Sequence, residues 1–243
     1  MALEGQLQLV RYVQTDATYD DLCDDQDNWS LALGGDSHGS RLGSAMRGLI
    51  GQGRFDGGVW LNRGFNFCQG GMQAMRYQRD QRFDRLRSCS ARIILLALGG
   101  NDLDQRYRRD RRDVIHDLLL LIVDLERRGK IVYVIGIPWR HSSRRQNGDV
   151  MRSKISYINR KLKQIIHHRL IALPSRCYPR RSFERSFFRP DNGPIREEYV
   201  HLLPEMYICA ARHILSRLNQ DLRGRHSPPS RNIFTVNHFF DTH

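Results

Sequence analysis

Leu31-Ala32-Leu33-Gly34-Gly35-Asp36-Ser37-His38-Gly39-Ser40-Arg41-Leu42 is the stretch on which the reading of this chain turns. An apolar run meets a Gly-Gly-Asp-Ser turn, and a helical pattern follows at Leu42, Ala45, Met46, Leu49 and Ile50. The pattern is a strand, a tight turn and a helix start. Open α/β sheets bind their ligands at the carboxyl ends of strands, which is where Ser37 falls. Its own N–H is among the unpaired donors of the helix's first turn, aimed at any anion that forms beside the hydroxyl. The bland alternative is a plain connection in which Ser37 caps the helix.

Outward from this turn, strand-like and helix-like patterns alternate. Trp29 to Leu33 reads as the first strand and Val59 to Asn66 as the second, ending in a glycine-bearing loop. Gly70-Gly71 then precede a basic amphipathic helix pattern. Ala91 to Leu98 is a continuous apolar run suited to a parallel strand buried on both faces, and it ends in Gly99-Gly100-Asn101-Asp102. A helix is expected over Asp113 to Arg128, a fourth strand over Ile131 to Pro138, a helix over Met151 to His168 and a fifth strand over Leu170 to Pro174. Residues 175–198 read as a long irregular loop, and Leu202 to Leu222 as a final helix with Pro204 in its first turn. The alternation predicts an α/β fold: a three-layer α/β/α sandwich with a mostly parallel five-stranded sheet. Three segments follow, an acidic stretch 1–28, the domain 29–223 and a tail 224–243.

Composition sets outer limits. The chain has 243 residues and a formal net charge of +13, from 39 basic and 26 acidic residues. Such an excess is expected to attract polyanions, either nucleic acid or an anionic membrane surface. The five cysteines, Cys23, Cys68, Cys89, Cys177 and Cys209, form no C-x-x-C pair, so reduced thiols are expected rather than a zinc site or disulfide framework. The aspartates between Asp16 and Asp27 lack the glycine and distal glutamate of a calcium loop, and no metal is expected. No signal peptide or membrane span is read, and a cytoplasmic location is the expectation.

A nucleophile at Ser37 needs a base. His201 lies three residues after Glu198, and an acid–x–x–His arrangement can set a carboxylate against one imidazole nitrogen while the other faces a serine. An asparagine side chain, Asn101, and backbone N–H groups can then hold an oxyanion. The bland alternatives are an Asn101 that satisfies a strand end and a His201 that merely opens a helix. The remaining histidines read as surface groups, with His38 bordering the site.

Gly35-Asp36-Ser37, Gly99-Gly100-Asn101-Asp102 and His201-Leu202, in this order and spacing, resemble the SGNH hydrolases, also called GDSL-type esterases. The resemblance covers about residues 29–222. Gly35-Asp36-Ser37-His38, Leu98 to Leu103 and Phe188-Arg189-Pro190-Asp191 look in particular like the SGNH-like domains of animal repeat-derived and retrotransposon-encoded proteins. The resemblance implies that Ser37 is the nucleophile, that His201 is the base, and that Asn101 helps to form the oxyanion hole. Gly64 in Asn62-Arg63-Gly64 is the matching second-block glycine; the usual later glycine is replaced by Phe67 or shifted to Gly70. The family's D-x-x-H reads Glu198-Tyr199-Val200-His201, so either Glu198 substitutes or Asp191 serves from further back.

Two functions from different classes result. One is a serine esterase acting on small-molecule or lipid carboxylic esters without any cofactor. The other is a catalytically weak or inactive module of the same fold that binds nucleic acid or another polyanion through its arginine-rich surface.

Overall fold

The computed structural model describes residues 29–51, 59–103, 109–138, 148–174, 188–189 and 201–223. The acidic segment 1–28, the tail 224–243 and the two acid candidates, Glu198 and Asp191, lie outside the described residues.

Five strands form one parallel sheet: β1 (Trp29–Gly35), β2 (Val59–Cys68), β3 (Ile93–Ala97), β4 (Ile131–Ile135) and β5 (Leu170–Ile171). Their spatial order is β2-β1-β3-β4-β5. The chain steps from β1 to β2 in one direction and then builds β3, β4 and β5 in the other. The order therefore reverses at β1, and a crevice opens beyond its carboxyl end, next to β3. All five residues of β3 are buried, as expected of a central parallel strand.

The helices are α1 (Ser37–Gly51), α2 (Ala74–Tyr77), α3 (Gln81–Ser88), α4 (Arg111–Glu126), α5 (Gly148–Ile166) and α6 (Pro204–Arg223). On α1, Leu42, Met46 and Leu49 are buried at a spacing of one helical face. On α6, Ala211, Ile214, Leu215 and Leu218 are buried likewise, and α1 packs on α6. The other group is α4 against α5 and α2, with α3 on β1 and β2. Right-handed crossovers in both directions from β1 place these two groups on opposite faces of the sheet.

Most element ends shift by a few residues from the sequence reading, and two of these differences bear on the site. The last helix starts at Pro204, not Leu202. Proline suits the first helical position but disfavours helical backbone in the residue before it, so 201–202 stays extended. His201–Leu202 instead forms β7, paired antiparallel with β6 (Phe188–Arg189) inside the stretch read as irregular loop. The second strand also runs on to Cys68, because Gly34 and Gly35 pair with Phe67 and Cys68.

Gly35 is required by close backbone approach. A Cβ there would lie 2.4 Å from the carbonyl oxygen of Ala97 on β3. Backbone cannot yield as a side chain tip can. Gly35→Ala is therefore expected to cost about 1–3 kcal/mol, lowering the thermal midpoint by several degrees in a calorimetric scan.

Candidate active site

The turn that carries Ser37 is built by Asp36. Its backbone N–H donates to the Ala97 carbonyl (3.0 Å), continuing the β1–β3 ladder one step beyond the strand. Its side-chain Oδ1 accepts the His38 N–H (2.8 Å), and its carbonyl accepts the Ser40 N–H. Asp36 is thus the helix cap, and Ser37 is the first residue inside α1. The simple-cap reading of Ser37 is excluded: its hydroxyl has another task.

The hydroxyl meets an imidazole. Nε2 of His201 lies 2.8 Å from Oγ of Ser37, although 164 residues separate them. His201 reaches this position from β7, whose backbone is held by the pairing of Arg189 with His201. Contact through Nε2 directs the other ring nitrogen, Nδ1, away from the serine, the arrangement that a nucleophile–base pair uses.

The third block arrives from the next strand. Gly99 follows β3 with φ +101°, and a Cβ there would lie 2.8 Å from Ile137 Cδ1. Only glycine turns the chain at this point. A single 3-10 turn, Asn101–Leu103, follows. Asn101 Nδ2 donates to the Met72 carbonyl (3.0 Å) and to Asp36 Oδ2 (3.3 Å). These bonds fix the amide group between the Ser37 turn and the loop after β2.

Asp102, fully buried, has a structural role. Both of its oxygens accept the Ala74 N–H at the start of α2 (3.1 and 3.0 Å), and Arg109 lies 3.4 Å away. Burial pushes its carboxyl above the ordinary value; the Ala74 N–H and Arg109 oppose this, and the charge of Asp117 adds to it. The folded chain thus holds this proton more tightly than the unfolded chain does. The proton's contribution favours folding at low pH and fades as pH rises from about 4 through the folded value. Asp102→Asn keeps an acceptor for Ala74 but cannot ionise. The thermal midpoint of the variant, minus that of wild type, is therefore expected to become more positive from pH 4 to pH 7.

The two candidate glycines of the second block lie at different depths in the sheet. Gly64 lies inside β2, in the irregular stretch where the register jumps from Leu31↔Leu61 to Leu33↔Asn66. Four residues separate it from the strand's carboxyl end at Cys68, a rise of about 13 Å. Gly70, in the turn after the strand, is the glycine beside the nucleophile: a Cβ built on it would lie 4.0 Å from the Ser37 Cβ. The register jump hid this, because a strand read as ending at Asn66 puts Gly64 near the edge.

His38 is likewise not a surface group; it is 6% exposed. Its ring lies 5.2 Å, centroid to centroid, from that of His201. Behind it, Ile137, Pro138, Leu173, Tyr207 and Ala210 contribute to an apolar cavity of about 30 Å³, room for little more than a water or a methyl group. Cys68, at the end of β2, is held as a thiol: burial pushes its pKa well up, and the Asp36 charge adds to this. No cluster suited to a metal ion occurs among the described residues. None of the described helices is long and apolar enough to cross a membrane.

No family model matches the chain, and no curated protein matches it by sequence. Solved structures do match. A Bacteroides fragilis protein designated an acylhydrolase superposes with a TM-score of 0.58 at 13% identity, over 87% of this chain and 100% of that one. The fold is that of the SGNH hydrolases. Est24, a carbohydrate acetylesterase from Sinorhizobium meliloti, gives 0.55 at 14% identity, over 79% of this chain and 99% of its own. A carbohydrate esterase of family 3 from Talaromyces cellulolyticus gives 0.55 at 15%, over 81% and 99%. In this architecture Ser37 and His201 meet beyond the carboxyl end of β1, and Asn101, after β3, bonds to Asp36 next to Ser37.

Proposed function

We propose that the protein is a serine hydrolase of carboxylic esters. The observation that carries this reading is the 2.8 Å contact between His201 Nε2 and Ser37 Oγ at the switch point of the sheet. Ser37 Oγ attacks the acyl carbon as its proton passes to His201 Nε2. The imidazolium then gives that proton to the leaving alcohol, and an acyl-serine remains. A water, deprotonated by the same histidine, releases the acid.

The negative charge that develops on the carbonyl oxygen is met by the Ser37 N–H at the α1 terminus, the Gly70 N–H and the Asn101 amide. Asn101 suits this role if the Met72 carbonyl keeps one Nδ2 hydrogen (3.0 Å) and orients the amide, while the other hydrogen leaves its longer bond to Asp36 (3.3 Å) for the oxyanion. The acid that orients His201 comes from the connection between β6 and β7, which carries both Glu198 and Asp191. The acetylesterases among the structural neighbours favour small ester substrates for a first test. The full chain, purified and given p-nitrophenyl acetate, is expected to release p-nitrophenol well above the buffer rate and to stop after fluorophosphonate treatment. Release at the buffer rate would overturn the assignment.

A further inference from the structure

We infer that His38 and Tyr207 form a positioning pair that sets the orientation of the His201 ring. Nδ1 of His38 and Oη of Tyr207 are 2.8 Å apart, and each residue is only 6% exposed. The two come from different elements. His38 follows the nucleophile on α1, and Tyr207 lies six residues after the base, on α6. Their hydrogen bond is therefore a second tie, beside the Ser37–His201 contact, between the segment bearing the hydroxyl and the segment bearing the imidazole.

The geometry shows what the tie controls. His201 is held at its backbone by the pairing with Arg189 and at one ring atom by Ser37. The His38 ring lies against the His201 ring at 5.2 Å with a 43° tilt, and blocks its swing toward that side. His38 cannot swing aside while Tyr207 holds Nδ1. A leucine and a phenylalanine would fill the same space without placing two polar groups in a nearly dry interior, where such groups are costly unless paired. Polar residues here are consistent with directional control. A misplacement of about 1 Å in a reacting group lowers a rate roughly 100-fold, so a modest tilt of His201 would matter.

The role in catalysis rests on the ester-hydrolase reading, whereas the orientation of His201 does not. The test therefore has two readouts on the full chain. Tyr207→Phe removes one oxygen, and His38→Leu removes the partner while keeping bulk. His38→Asn restores a polar atom near the Nδ1 position. With p-nitrophenyl acetate, Tyr207→Phe and His38→Leu are expected to lower kcat about tenfold with KM within about twofold, and His38→Asn to recover most of the loss. A space-filling role predicts the opposite order, with leucine tolerated and asparagine not. In the ¹⁵N-histidine spectrum, the His201 Nε2 resonance is expected to move in Tyr207→Phe and His38→Leu and to return in His38→Asn. An unmoved resonance, or leucine outperforming asparagine, overturns the pair. A wild type that turns over no ester while its His201 resonance still follows Tyr207 overturns the hydrolase reading and leaves the pair standing.

Discussion

Ser37→Ala is expected to reduce kcat on p-nitrophenyl acetate by a factor on the order of 10⁴ to 10⁶, with loss of fluorophosphonate labelling. The effect is large because the neighbouring thiol of Cys68 cannot take over. Cys68 is only partly exposed, and burial, with the Asp36 charge adding to it, holds it as a thiol. Unfolding cannot account for the loss either. The helix cap is the Asp36 carboxylate, not the Ser37 hydroxyl, so removing Oγ leaves the α1 start intact and the thermal midpoint within a few degrees. The oxyanion donors also survive, since one is a backbone N–H and another is the Asn101 amide. A residual rate above water is therefore expected. Ester turnover at the wild-type rate in Ser37→Ala would remove the nucleophile assignment.

His201→Ala is expected to cost a similar factor, and the Ser37→Ala/His201→Ala double variant no more than either single one. Groups that act as one device fail as one device: a serine without its base is a weak nucleophile, and a base without its serine has no proton to take. The same assay separates the two acid candidates. Of Glu198→Gln and Asp191→Asn, the one that orients Nδ1 of His201 should lower kcat by about 10⁴, and the other should remain within about threefold of wild type. If neither variant loses tenfold, the imidazole is oriented by something other than these carboxylates. Additive losses from the serine and histidine variants would show that the two act in separate steps.

Much of this site was legible because its pieces are local. A glycine pair, an acid and a serine between an apolar run and a helical pattern specify a strand–turn–helix, and turn chemistry depends on neighbours in sequence. Asn101 was legible for the same reason, since it follows a five-residue apolar strand and a glycine with φ +101°. The extended conformation of His201 was also within reach, because a proline at 204 already disfavours helix in the residue before it. The apolar period of the helix runs on through the proline and masks this boundary in the linear pattern.

Other choices depend on which surfaces meet. Gly64 and Gly70 are equivalent as residues. The jump in pairing between β1 and β2 takes up the intervening length and leaves Gly70, not Gly64, beside Ser37. Histidine 38 reads as polar and hence exposed, but the packing of α1 on α6 buries it against Tyr207 and His201. By itself, then, the sequence determined the α/β alternation and the strand–turn–helix at Ser37, and it singled out His201. Only the tertiary structure decided which glycine lies beside Ser37, the burial of His38 and the 2.8 Å meeting of His201 Nε2 with the Ser37 hydroxyl. Local backbone preferences act over a few residues, whereas strand register and helix packing are set by contacts between segments that the linear order keeps far apart.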